Sequence, residues 1–310
     1  MSENLVSDRR PVSSLLSIFL LLIFGFVVLG PVIGMVTATL VYGTGFVEGL
    51  MNPLAHPEYS MGILLAQGIG ATIGLLILPW FYLKNFEKRS VFIFFKDDVN
   101  WPVTIVTLMI VTVTFAIAIS PVIDWNANIE FPEWASDFGD WAKQTEKSAA
   151  DLIKSITDNM TAAGFVLAFV VVAIIPGIGE ELFFRGMIQN EFQRAFKNHH
   201  AAIWITAIIF SAFHMQFMGF VPRVLLGAMM GYLYVWSGNL WVPVITHFFN
   251  NGIQLVGLYL YQKGVITFDV ESTETAPLPA VGVGIVLTIF LLVFLKNYFK
   301  RQATLRDSAQ

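Results

Sequence analysis

Residues 161–190 read TAAGFVLAFVVVAIIPGIGEELFFRGMIQN. From 161 to 179 no side chain is charged, and the whole stretch exceeds the ~20 residues of helix that cross a bilayer's hydrocarbon core. Glu180, Glu181 and Arg185 then follow in close succession. An ionised side chain at membrane depth costs about 2.5–3.5 kcal/mol on insertion scales, so such residues persist mostly where they face a polar interior. The stretch therefore reads as a membrane-spanning helix that carries a polar site.

Working outward, apolar runs recur at about 12–42, 60–83, 101–123, 161–190, 201–218, 223–237, 239–261 and 278–298, giving eight candidate helices. The expected fold class is all-α: a polytopic membrane protein of about eight transmembrane helices. Composition agrees, because only 13% of the 310 residues are Asp, Glu, Lys or Arg, against roughly 25% in soluble proteins, and mean hydropathy is +0.69. A soluble single-core domain is ruled out. The absence of cysteine removes disulfides, thiolate zinc sites and cysteine nucleophiles together. A net charge of −4 lacks a basic nucleic-acid footprint, so no nucleic-acid partner is expected. The first run follows Arg9 and Arg10 as a signal peptide would, but it is about twice as long as a 7–15-residue signal core. It reads as a retained helix with a bend at Pro31.

Basic residues orient the chain. With the N-terminus cytoplasmic, Arg9, Arg10, Lys84, Lys88, Arg89, Lys96, Arg185, Arg194, Lys197, Lys296, Lys300, Arg301 and Arg306 fall at inside ends, and Lys143, Lys147, Lys154, Arg223 and Lys263 outside. That bias fits an even number of crossings with the N-terminus and C-terminus both cytoplasmic. Ser237-Gly238-Asn239 is the only break between the sixth and seventh runs; as a mere kink it would make seven helices and send the basic C-terminus outside. The 124–160 loop is acidic, with Asp124, Glu130, Glu133, Asp137, Asp140, Glu146, Asp151 and Asp158 among Trp125, Trp134 and Trp141. A solvated connector is the plainer reading; a surface helix at the membrane interface is the other.

The deep polar residues are few: Glu180, Glu181 and Arg185 on the fourth helix, His214 on the fifth, and His247, Asn250 and Asn251 on the seventh. Glu181 and Arg185 are an i,i+4 pair on one face, whereas Glu180 projects about 100° away without a built-in partner. His247 and Asn251 share the same i,i+4 step. At 1.5 Å per residue, Glu180 lies about 18 Å, His214 about 20 Å and His247 about 12 Å from the inner ends of their helices, so the three can meet in the membrane. Each also has a structural reading: an ion pair bracing the fourth helix, a histidine bonding between helices, and Asn250 as packing glue. His199 and His200 sit in a turn and read as ordinary interfacial residues. An unpaired Glu and two deep His on three helices are harder to assign to packing alone.

What is missing narrows the chemistry. There is no His-Glu-x-x-His zinc-protease helix and no Gly-x-Ser nucleophile turn. Gly177-Ile178-Gly179-Glu180 is similar to the Gly-x-Gly-Asp signature of intramembrane aspartyl proteases, but it carries Glu, and no second intramembrane Asp exists. A glutamate and histidine site acting on water is left.

Three motifs, in order on successive hydrophobic helices, then carry a family likeness. Glu180-Glu181-Leu182-Phe183-Phe184-Arg185 matches Glu-Glu-x-x-x-Arg, Phe210-Ser211-Ala212-Phe213-His214 matches Phe-x-x-x-His, and His247-Phe248-Phe249-Asn250-Asn251 matches His-x-x-x-Asn. The chain thereby resembles the CAAX prenyl protease and bacteriocin-processing family, also called the Abi family, over roughly residues 160–262. The resemblance implies an eight-helix intramembrane endopeptidase in which Glu180 and His214 are the acid/base pair and Glu181 and Arg185 support them. His247 and Asn251 would donate to the developing oxyanion, a role worth ~2.7–4 kcal/mol per donor elsewhere. Burial favours the neutral form of a carboxyl and brings it toward the range of a general base. Glu180, His214 and His247 are also candidate ligands for Zn; a metal-free glutamate mechanism needs no ligand geometry and is preferred.

The expected organisation is residues 1–160 as three helices and the acidic loop, 161–262 as the catalytic bundle, and 263–310 as a loop, last helix and basic tail. The expected location is multi-pass in a bacterial plasma membrane, and the expected partners are the lipid bilayer and a membrane-associated peptide or protein substrate, of CAAX type or lipid-anchored. Two other classes use the same residues: a non-catalytic family member in bacteriocin immunity or scaffolding, and a proton-coupled transporter, against which the lack of internal repeats speaks.

Overall fold

A computed structural model describes residues 9–95, 99–157, 160–270 and 272–307, with the side chains of 306 and 307 left out. Lys96, Asp158 and the side chain of Arg306 lie outside the described residues. Among these residues every regular element is helical. In chain order they are α1 (Pro11–Tyr42), α2 (Gly45–Met51), α3 (Pro57–Asn85), α4 (Trp101–Ala118), α5 (Ser120–Ala127), α6 (Ser136–Thr157), α7 (Ala162–Phe196), α8 (His199–Phe213), α9 (Phe217–Ser237), α10 (Trp241–Gln262) and α11 (Leu278–Leu305). Each of the eight apolar runs contains a helix, the third being split between α4 and α5, and α1, α3, α4, α7, α9 and α11 are long and apolar enough to cross a membrane. The protein is an all-α, multi-pass integral membrane protein. Its outer helices show lipid-facing surface: α1 exposes Leu16, Leu20 and Phe24, and α11 exposes Val286, Ile289 and Phe290.

Three of the long helices widen where a proline would otherwise break them. Pi-helical turns at Ile23–Leu29, Thr72–Ile77 and Val170–Ile174 precede Pro31, Pro79 and Pro176. Proline has no N–H to give the carbonyl four residues back, and its ring crowds that carbonyl; a wider turn relieves the clash. The expected irregularity at Pro31 thus takes the form of a widened turn. A fourth wide stretch, Leu182–Gln189, contains Arg185 and no proline. Such bulges are frequent at functional sites.

Small residues set the closest helix approach. A Cβ on Gly34 would collide with the Ala66 carbonyl oxygen, and one on Gly30 with that of Gly70. Backbone meets backbone there, as in glycine-spaced crossings of membrane helices. Behind this pair α7 is the central helix, with every residue from 181 to 191 buried. Its Leu182, Phe183, Phe184, Met187 and Ile188 join a core with residues of α1, α3, α9 and α10.

The structure corrects two expectations. The fifth apolar run does not continue as helix to 218: α8 stops at Phe213, His214 caps it, and Met215 turns the chain with φ of +57°. The 124–160 stretch is no mere solvated connector, since α6 runs 22 residues with Gly139 and Ala142 buried and Trp141 exposed, and Trp134 just before it is exposed too. At Ser237-Gly238-Asn239 the break is a true turn, with Gly238 at φ of +62° where a glycine carries no Cβ penalty.

Candidate active site

The α7 glutamates part company as their spacing predicts. Glu181 is fully buried and its Oε1 takes two donors, Arg185 Nη1 at 2.6 Å and His247 Nδ1 at 2.8 Å. Arg185, also fully buried, gives Nη2 to the Gly227 carbonyl at 2.9 Å. Glu180 points elsewhere. Its buried Oε2 has no hydrogen-bond partner among the described residues, yet the Nε2 atoms of His214 and His247 both face it from 3.9 Å. Glu180, Glu181, Arg185, His214 and His247 are thereby brought together from three helices.

Hydrogen bonding fixes what each imidazole can do. His214 Nδ1 lies 2.9 Å from the Phe210 carbonyl, which only accepts, so that nitrogen carries a proton and the neutral ring leaves Nε2 bare. His247 Nδ1 faces the ion-paired Glu181 carboxylate and is likewise the donor. In the neutral form of each ring a bare Nε2 then faces the Glu180 carboxyl. Phe210, the first residue of its motif, is the shared wall. Its ring lies under the Arg185 guanidinium at 4.7 Å and packs at 4.9 Å from His214 and 6.0 Å from His247.

Asn251, one turn beyond His247 on α10, makes contacts of its own. Its Nδ2 donates to the Val172 carbonyl at 2.9 Å, and its Oδ1 accepts from Asn250 at 3.0 Å. Val172 is four residues before Pro176, so its carbonyl is the one a prolyl nitrogen cannot serve. Asn250 gives its amide to Asn251 on the same helix, not across to a neighbouring one. His199 and His200 open α8, not a turn as expected; their rings lie tilted with centroids 4.0 Å apart, and His200 meets the Tyr232 hydroxyl at 2.7 Å, remote from the glutamates in sequence and contacts.

Sequence reasoning missed several polar partners. Gln189, one turn beyond Arg185, gives Nε2 to the Gly231 carbonyl at 3.2 Å, repeating the Arg185–Gly227 step; Asn190 gives Nδ2 to Gly186 and Tyr234. The i,i+4 series Glu181, Arg185, Gln189 and the pair Gly227, Gly231 were the readable signal. Arg223, counted only as an outside charge, bonds Gln216 two residues from His214. Glu146 on α6 meets Gln216, and burial holds its carboxyl above the usual range against the pull of Arg223. An apolar groove of about 380 Å³ lined by Trp80, Phe92, Phe95, Ile178, Leu182 and Trp241 lies on the other side of α7 from Glu180 and is no part of this cluster.

The fold and site define a multi-pass α-helical membrane protein with a buried cluster of two glutamates, an arginine and two histidines. Residues 162–253 match the Rce1-like family, described as type II CAAX prenyl endopeptidase, so the likeness drawn from three motifs holds over that segment. A curated relative, the uncharacterised protein YpbD of Bacillus subtilis (strain 168), is 29% identical over 79 residues, 24% of this chain and 37% of that protein. The chain thus spans little more than a third of the relative's length. No solved structure matches.

Proposed function

We propose that the protein is an intramembrane endopeptidase that hydrolyses a peptide bond of a membrane-associated substrate, of CAAX type or lipid-anchored, with a glutamate-activated water. One observation carries this reading: Glu180 Oε2, buried and without a donor, faces two imidazole Nε2 atoms at 3.9 Å each. A water between them gives its proton to Glu180 and attacks the carbonyl carbon. Glu180 passes that proton to the departing amine, and His214, its Nδ1–H fixed on Phe210, takes the hydroxyl proton of the tetrahedral intermediate at Nε2 as the carboxyl product forms and releases it to solvent. His247 donates from Nε2 to the oxyanion only as imidazolium, and Glu181 on its Nδ1–H stabilises that form, as a buried carboxylate does in hydrolase triads. Arg185 holds Glu181 in place. Asn251 has a second amide N–H for the oxyanion while the first serves Val172. In the same reading the eight helices cross the membrane with both termini cytoplasmic, in a bacterial plasma membrane.

Among the described residues no group of three His, Cys, Asp or Glu is arranged as a metal site. Glu180, His214 and His247 are nevertheless the residues Zn would take, and chelation tells the two versions apart. The experiment uses the full chain in lipid vesicles with a library of quenched fluorescent membrane peptides, with and without chelator. Glu180→Gln is expected to lower turnover by about 10²–10⁴-fold while the protein stays folded. Wild-type-like turnover by that variant overturns the assignment, and Glu180-dependent proton flux without cleavage replaces it with a transporter. Chelator-resistant turnover supports the metal-free version; its loss assigns the three residues as ligands.

A further inference from the structure

We propose that Arg223, Gln216 and Glu146 form a clamp that positions His214, so that the surface helix α6 holds the imidazole against Glu180. The proposal rests on the function proposed above and adds to it residues outside the three motifs.

Glu180 and His247 sit within continuous helices, which fix their backbone. His214 does not. It lies at the end of α8, and the next residue, Met215, occupies the left-handed region that non-glycine residues seldom adopt. Such a turn keeps its shape only when its surroundings hold it. The Arg223 guanidinium does this from α9: Nη1 donates to the Gln216 carbonyl at 3.2 Å and Nη2 to Gln216 Oε1 at 3.3 Å, so one planar fork grips both main chain and side chain. Gln216 Nε2 in turn donates to Glu146 Oε1 on α6 at 3.5 Å.

The seat of α6 on this turn is independent of those polar contacts. The Phe138 ring meets Phe217 edge-on at 5.1 Å, and Phe131, just before α6, packs on the same ring at 5.5 Å. Below, the fully buried Asn126 donates to the Phe217 carbonyl and accepts from Val221 N, leaving the turn little freedom of its own. Arg223 is also near enough for its charge to act on both Glu180 and His214. Displacing α6 removes the aromatic seat and the Glu146 contact together, and the imidazole loses its register.

The test compares Arg223→Lys, which keeps the charge and loses the fork, and Glu146→Ala, which removes the α6 contact, using the same peptide library in vesicles. Arg223→Lys is expected to lower kcat by about 10- to 100-fold with KM unchanged, as an ångström of misplacement does, and Glu146→Ala to act in the same direction more weakly. In a His214→Ala background each is expected to change kcat by less than about twofold, because groups acting through one residue are not additive. A full loss in that background, or a change carried by KM, overturns the clamp. A second readout needs no turnover: with ¹⁵N-labelled histidine in lipid nanodiscs, wild-type His214 shows a single Nδ1–H tautomer and Arg223→Lys a mixture. An unchanged His214 spectrum overturns the clamp whether or not any peptide is cut, whereas active Glu180→Gln strikes only at the endopeptidase reading.

Discussion

Replacing Arg185 by methionine is expected to cost the folded protein about 3–5 kcal/mol, the penalty for stripping one partner from a buried ion pair. Arg185 is fully buried, 2.6 Å from Glu181 Oε1, 2.9 Å from the Gly227 carbonyl, and stacked over Phe210. Methionine replaces most of the stem but none of the charge, so Glu181 keeps only His247 as donor. The Gly227 carbonyl loses a second bond, a smaller matter. The double variant Arg185→Met, Glu181→Gln removes both charges, and the amide oxygen introduced in place of the carboxylate can still accept from His247 Nδ1–H. It is expected to recover to within about 1–2 kcal/mol of wild type, since an ion pair swapped as a unit leaves no orphaned charge. Unfolding in mixed micelles with increasing denaturing detergent, followed by circular dichroism, measures all four corners of this cycle. An Arg185→Met cost below about 1 kcal/mol, or a double variant as unstable as the single, would refute the view that the pair is held together by burial.

Gly34→Ala is expected to destabilise by about 1–3 kcal/mol, because its methyl would meet the Ala66 backbone oxygen rather than a movable side chain; the same detergent titration reads it. Asn251→Ala is expected to cost about 1–3 kcal/mol by leaving the Val172 carbonyl unserved, and less in a Pro176→Ala background, where residue 176 regains an N–H. Equal costs in both backgrounds would show that the amide is not compensating for the proline. Burial raises the Glu146 carboxyl above its ordinary value, so the folded state binds that proton more tightly than the unfolded chain. Its contribution is therefore fully present below the ordinary carboxylate range and is lost as pH rises through the raised value. Glu146→Gln should flatten that part of a stability–pH curve, and an unchanged curve would assign it to another group.

The helices were legible because apolar length is all that a bilayer asks of a span, and α7 was legible because Glu180, Glu181 and Arg185 are costly enough to stand out. The i,i+4 step from Glu181 to Arg185 correctly gave a pair and left Glu180 apart. The end of α8 was not legible: the run past Phe213 stays apolar, and only the turn at Met215 and the cap by His214 stop the helix. Arg223 was hidden by being read as a topology signal, since a charge count records a side chain's end of the bundle and not what it grips. Asn251 fitted a catalytic pattern, and its bond to Val172 emerged only when α7 and α10 were placed side by side, with Pro176 explaining why that carbonyl was open.

The brevity of α8 bears on how water reaches a site among lipid chains. Fifteen helical residues span about 22 Å, whereas the hydrocarbon layer is about 30 Å thick. In the topology proposed above α8 starts at the cytoplasmic face and so would end inside that layer, with protein serving the polar backbone of the following turn: Arg223 bonds the Gln216 carbonyl and Asn126 that of Phe217. A short helix thins the hydrophobic barrier locally; in the proposed function the partly exposed His214 imidazole is the side from which water would enter, while Glu181 and Arg185 are fully buried beside Phe210. The hydrolysis proposed above would consume a reactant that a membrane excludes, and the missing turns of α8 would supply its route.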